Sequence, residues 1–540
     1  MLNLTPPSGG GTARSIQATE LIDFTGGLNL SSDRFKLALN ESPDLLNVDV
    51  HARGGVEVRG GMTQFSEEDT DLVGRLFTGS WHHRSSDGTE FLTVAVGADA
   101  DGNAVTRSVD SSGQTLIQGP VFGPTNPDEP DELFGTQMDD VTYITSRRYG
   151  PHNMRFNASS QVEWRSMLPA GTNAWNEDEA GNGAGVFPQG RTSAVWDNRM
   201  WVASTIEDGV RHRNRVRFSV EGNPEQWRED DWIDVDTGED GDEITALAKH
   251  GEVLVVFKAR AVYLIIQRDD GFLYSRVQVS AAVGATNPYA VQSSPFGLWF
   301  WDGRSGLYVW NGENPTFAGS RLLQGLEEAR IPRESDVTMG WVNNRLWIST
   351  ELDFKSVNFV FDATLGSFSV YEPSIVAPFL FAGRMVGYSP SLRRWLSVDQ
   401  RTSVDDFGDG PQSIPSFWVS PHVHGGRHWV KKKFRRPKFT VSATGQADVQ
   451  VDVFRDYSGS LMRTMLLRLA DLRDGEQWGG FDWGNAEWSS GDTNIGSEIT
   501  QGASLCRAHA VQFKLNGPTQ AVRWRLDSLV VPYISLPTRG

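Results

Sequence analysis

Along most of this chain, short runs of Val, Ile, Trp and Phe alternate with polar turns. The clearest stretch is Ala194 to Ile266. It opens with A-V-W-D-N-R-M-W-V-A-S-T, passes through F-S-V-E-G-N-P-E-Q-W and W-I-D-V, and ends in I-T-A-L-A-K-H-G-E-V-L-V-V-F-K-A-R-A-V-Y-L-I-I. β-Branched and aromatic residues fit a pleated, half-buried surface, and Asp-Asn, Gly-Asn-Pro and His-Gly punctuate them as turns. Asp197 and Asn198 suit the positive φ that a two-residue hairpin turn demands. Gly222, Asn223 and Pro224 make a longer turn.

The same pattern repeats from about residue 70 to 410. Units begin near Phe77, Phe134, Ala194, Ile244, Val291, Asp336 and Phe379, spaced by 43 to 60 residues. Four-stranded propeller blades take about 40–50 residues each. The best internal match sets N-R-M-W-V-A-S-T (Asn198 to Thr205) against N-R-L-W-I-S-T (Asn344 to Thr350). Hairpins without intervening helices exclude parallel βαβ folds. The prediction is a β-propeller of about six to seven blades, with two packed sandwiches as the structural competitor. Ser320 to Ile331 reads as one short helix.

The ends differ from the middle. Residues 1–18 are rich in Pro, Gly, Ser and Thr and read as a flexible arm. Residues 19–69 hold short strands, assigned to a platform. Residues 411–540 form a separate unit, with alternating strands at Pro437–Ser442, Ala447–Phe454, Thr464–Leu469, Ala508–Leu515 and Val522–Tyr533. Apolar–polar alternation means a half-exposed antiparallel sandwich. Residues 403–415 offer little to bury and read as a protease-sensitive boundary. The fold class is therefore all-β: propeller-like meanders plus a β-sandwich platform built from the C-terminal region and the N-terminal strands.

The opening of the chain carries a resemblance. F-T-G-G-L-N (Phe24 to Asn29), N-E-S-P-D-L-L-N-V-D (Asn40 to Asp49) and G-V-E-V-R-G-G (Gly55 to Gly61) come in that order. Together they resemble virion proteins of tailed double-stranded DNA bacteriophages, in particular the tail nozzle (tail hub) family of short-tailed phages. The resemblance implies a homo-oligomer, a ring of six copies that forms the tube through which DNA leaves. It also implies contacts with portal or adaptor proteins and with tail fibres or spikes, passing contact with genomic DNA in the lumen, and a place in the virion tail after assembly in the host cytoplasm. Two alternatives stand beside it. One is a carbohydrate-binding or depolymerising tail propeller; the other is a neck or tail-tip protein of a long-tailed phage.

Composition narrows the chemistry. The net charge of −18 argues against general nucleic-acid wrapping, which needs a basic face. A repelling wall suits a conduit that must not grip DNA. One basic run breaks the acidic pattern: Arg427, Lys431, Lys432, Lys433, Arg435, Arg436 and Lys438. It suits an inter-subunit or DNA contact, against a solvated strand face. Q-W-G-G-F-D-W-G-N-A-E-W places Trp478, Trp483 and Trp488 in a loop too aromatic for plain surface. That loop suits either an inter-subunit contact or a flap on its own sandwich.

Metal and catalytic signals are faint. Asp234, Asp236, Asp240 and Asp242 alternate as calcium ligands do, but the EF-hand pattern fails, and a solvated acidic turn is the simpler reading. His422, His424 and His428 lack a Cys or carboxylate at companion spacing. The single cysteine, Cys506, excludes an internal disulfide and reads as a small buried hydrophobe. No G-x-S-x-G, H-E-x-x-H or P-loop occurs, and S-S-D-G-T-E-F (Ser85 to Phe91) only brushes a sialidase box. No enzyme activity, cofactor or membrane-spanning segment is expected, and the N-terminus does not read as a signal peptide.

Overall fold

The structure is a computed structural model that describes residues 16–33, 35–72, 76–97, 101–129, 131–156, 161–169, 186–236, 242–268, 273–332, 337–469 and 505–536. The chain divides into two compact units, with divisions at Arg59/Gly60 and Pro411/Gln412; Ser367–Ser369 group with the unit of the chain ends.

The central unit holds seven four-stranded antiparallel sheets. Blades one to seven begin with strands Leu76–Arg84, Phe134–Met138, Gln189–Trp196, Ile244–His250, Val291–Ser294, Thr338–Val342 and Val376–Phe381. Each first strand packs against the next, and that of blade seven packs against that of blade one. The ring is therefore closed, and the unit is a seven-bladed propeller. Apolar residues fill the gaps between neighbouring blades. Between blades three and four, Trp196, Trp201, Phe218, Leu254 and Ile265 are buried together. Equivalent clusters join blades one to two, two to three, four to five, six to seven and seven to one. Each fully buried side chain of this size contributes about 1.5–3 kcal/mol, so blade-to-blade packing outweighs any single turn.

The hairpin chemistry follows the sequence. Asp197 and Asn198 take φ of 52° and 53°, and Asn343 and Asn344 take 54° and 61°. Trp196 pairs with Arg199, and Val342 with Arg345, leaving two-residue loops in both internal matches. The short helix is Leu323–Glu327, inside the predicted span.

The last blade closes with a strand from the other end of the unit. Gly61–Gln64 pairs with Arg394–Asp399, from Asp399 against Gly61 to Leu396 against Gln64. This corrects the assignment of residues 61–64 to the platform. The outer edge of blade seven would otherwise expose a ladder of unpaired peptide groups. The expectation of a loosely held 403–415 also changes. Gly61 N–H donates to Thr402 O at 3.1 Å, and Asp406 N–H to Met62 O at 2.9 Å. Buried Asp405 accepts from Met62 N–H at 2.8 Å.

The second unit is built from both chain ends in two sheets. In one, Trp524–Ser535 pairs with Gln17–Leu21, Lys432–Phe434, Lys438–Ala443 and Val56–Val58, which in turn pairs with Val48–Val50; Cys506–Ala508 adds to Lys432–Phe434. The other runs Leu45–Leu46, Phe417–Val419, Val511–Asn516, Ala447–Arg455, Leu461–Leu469. Along Ala447–Arg455, Val449, Val451 and Val453 are buried and the intervening Asp448 and Gln450 are exposed, the alternation of a one-sided sheet. Phe439 of the first sheet meets Phe513 of the second edge-on at 5.8 Å. The propeller is thus an insertion in a platform whose sheets need residues from both termini.

Candidate interaction surfaces

The basic run is split by its own strand. Lys432–Phe434 lies between Cys506–Ala508 and Trp524–Ser535, so alternate side chains point inward. Lys432 is fully buried. Its Nζ donates to Arg427 O at 2.5 Å and Val430 O at 2.8 Å, with His509 O at 3.5 Å. Burial lowers its pKa. Lys432 is therefore corrected from a contact residue to a platform-core residue. Arg427, Lys431 and Lys438 are exposed, and Lys433, Arg435 and Arg436 half-buried.

Aromatic rings lie beside the exposed cations. Phe35 sits 4.2 Å from the Tyr457 ring and 5.8 Å from His428, which meets Trp429 edge-on at 4.9 Å. Tyr457 continues the strip to His422 at 4.6 Å. Trp429 is 63% exposed and Phe35 49%. His428 is exposed, His424 half-buried and His422 buried. His424 has its pKa lowered by burial and by nearby Lys432. The three histidines therefore occupy different depths, and among the described residues no group of three His, Cys, Asp or Glu is spaced to hold a metal. Sequence reasoning missed Phe35 and Tyr457, which stand as lone aromatics in polar loops. Cys506 is half-buried, and burial pushes its thiol up to about 11. Trp478, Trp483, Trp488 and Asp240 lie outside the described residues.

The remaining calcium candidates take separate partners. Asp234 Oδ1 lies 3.4 Å from Arg215 Nε. Asp236 Oδ2 accepts from buried Lys258 Nζ at 3.0 Å. Asp242 accepts from Ala259 and Arg260 N–H at 3.1 and 3.2 Å. A cation at Asp234 or Asp236 would have to displace a protein cation already in place, and one at Asp242 two backbone N–H groups. Next to this site, Glu207 accepts from Arg217 Nε and Nη2 at 2.7 and 2.8 Å and from Thr205 Oγ1 at 2.6 Å. Burial pushes its carboxyl up, but Arg217, Thr205 and Arg215 outweigh it and hold it at about 2.

Blades two to four share a charge network that the sequence did not reveal. Buried Arg147 bonds Glu243 at 2.7 Å and faces Glu129 at 3.0 Å. Arg191 clasps Glu132 with two bonds, at 2.7 and 2.9 Å, and reaches Glu243 at 3.0 Å. Arg211 joins Glu243 and Glu129. Burial raises Glu243, but Arg147, Arg191 and Arg211 together keep it below the usual carboxylate range. A glycosidase acid needs the reverse, a carboxyl that keeps its proton. This network clamps blades.

The middle of the ring is also occupied. Tyr289, just before blade five's first strand, reaches blades one and two: its hydroxyl donates to Leu133 O at 2.6 Å and accepts from Ser80 N–H at 2.9 Å. Its ring meets Phe77 at 5.6 Å and Phe134 at 5.3 Å. A Cβ at Gly79 would lie 2.2 Å from Leu133 O and 2.8 Å from the Tyr289 hydroxyl, so only glycine admits the crossing.

No protein-family model and no curated protein matches the chain. Among solved structures, the polysaccharide lyase Uly1 matches at 15% identity and a TM-score of 0.24. The match covers 46% of this chain and 58% of that one, and at that score it carries no argument about fold or activity. No helix of the described residues is long and apolar enough to cross a membrane.

Proposed function

We propose that this chain is a structural protein of a bacteriophage tail, the nozzle or hub of a short-tailed particle. Copies assemble into a ring, and the conduit for DNA lies between copies. The ring attaches to portal or adaptor proteins on one side and to fibres or spikes on the other. The chain performs no catalysis and holds no cofactor. It belongs to the virion tail and assembles in the host cytoplasm.

One observation supports this reading most: a seven-bladed propeller inserted into a two-sheet platform that both chain ends complete. Added to it are the opening motifs and the commitment of the acidic clusters to arginine or lysine. The Tyr289 crossing inside the propeller supports a conduit between chains rather than through one. The net charge of −18 suits a wall past which DNA slides without attractive wells.

The test is immunogold labelling of the source virions with antibody against this chain. Label at the tail's distal end on most particles is the expected result. Label on capsids, or none on any virion, would contradict it.

A further inference from the structure

We propose that the aromatic strip of the platform unit seats a second copy of this chain, which it takes at that copy's Ile16–Asp23 edge. The inference rests on the ring assembly proposed above and names its interface.

The two surfaces are complementary in kind. The strip presents Phe35, His428 and Trp429 between the exposed cations Arg427 and Lys431. Trp429 and Phe35 remain largely outside their own chain's core, at 63% and 49% exposure. Large aromatics beside arginine are the residues that dominate binding energy when a partner covers them. The edge presents the reverse character. Gln17–Leu21 pairs with Trp524–Ser535 on one side, and among the described residues no strand pairs with its other side. Ile16 and Ile22 flank it at 56% and 62% exposure, and Glu20 and Asp23 are exposed as well. An open edge strand with exposed isoleucines is a template for another chain unless something covers it.

Charge selects the occupant. The strip is basic in a chain of net charge −18, and the edge carries the anions Glu20 and Asp23 close to its exposed isoleucines. Aromatic and cationic on one surface, aliphatic and anionic on the other, the pair is heterologous. Repeated from copy to copy, a heterologous contact generates a ring when the rotation closes. A two-fold dimer that uses both surfaces reciprocally would stop at two copies, which the measured mass distinguishes from a ring. Single-stranded nucleic acid also suits cations with exposed aromatics, but it would leave the Ile16–Asp23 edge uncovered.

The experiment measures assembly of the full chain by native mass spectrometry and sedimentation over a range of concentrations. Variants are Trp429→Ala, Arg427→Glu, and Arg427→Glu combined with Glu20→Lys. All three positions are exposed, and circular dichroism checks that the fold is kept. The expected result is at least about a tenfold weakening of assembly for each single variant and recovery in the double reversal. Rings that form within twofold of the parent in both single variants would overturn this interface while leaving the ring itself standing. A parent chain that never assembles would overturn the ring and the interface together. Binding of a poly-dT oligonucleotide lost in Trp429→Ala, with assembly unchanged, would assign the strip to nucleic acid and overturn the proposal.

Discussion

Among the lysines of the basic run, position along one short strand decides fate. Lys432 stands at an inward position and is enclosed by carbonyl oxygens. Lys431 and Lys438 face solvent. Lys432→Gln should therefore lower stability by about 2–4 kcal/mol, because it breaks charge-assisted bonds inside the platform. Lys431→Gln and Lys438→Gln should stay within about 0.5 kcal/mol. Urea unfolding of the full chain, followed by fluorescence, checks all three. The run itself was legible from the sequence. Which lysine turns inward was not, because the strand is only three residues long and its register comes from Trp524–Ser535, about a hundred residues away in sequence. Glu207 offers a second residue-level test. Glu207→Gln removes the anion that Arg217 clasps and leaves Arg215 with Asp234, and should cost about 3–5 kcal/mol, read as a fall in the urea midpoint.

Among the elements, the blades were plainly written. Six of the seven expected starts fall within an observed first strand, and Asp336 lies two residues before Thr338. Period-two alternation and Asp-Asn or Asn-Asn turns are local signals, so they survive without tertiary information. The closing strand Gly61–Gln64 was not legible, since its partner lies more than three hundred residues on. The Tyr289 crossing was equally hidden: a tyrosine in N-P-Y-A carries no mark of its distant acceptors. Tyr289→Phe removes the hydroxyl and leaves Leu133 O and Ser80 N–H short of a partner. A loss of about 1–3 kcal/mol follows, with thermal unfolding as the readout. An unchanged melting temperature would show that the crossing holds nothing. The aromatic strip lies between these cases. Its basic half, around Arg427 and Lys431, was visible, whereas Phe35, Trp429 and Tyr457 join it only through folding.

At the level of the whole molecule, charge ties stability to pH. Burial against Phe91 and Thr142 holds His83 down to about 4, below its free value of 6.5. The unfolded chain therefore binds the extra proton first, and this contribution is full above pH 6.5 and lost as pH falls toward 4. Glu207 is held at about 2, below its free value of 4.5, so its contribution is full above pH 4.5 and lost on the way to pH 2. The melting temperature should thus be flat near neutrality and decline in two stages below pH 6.5. A melting temperature that rises between pH 6.5 and 4 would contradict this assignment.

Two-dimensional class averages of the purified, assembled full chain reach the central claim most directly. If copies of this propeller-and-platform chain form the conduit, the averages will contain closed rings with an open bore bounded by several chains. Six copies is the number that the family resemblance implies, which native mass spectrometry would read as six times the 59.7 kDa chain. Single 59.7 kDa particles at every concentration and salt, or rings whose centre is filled, would contradict it.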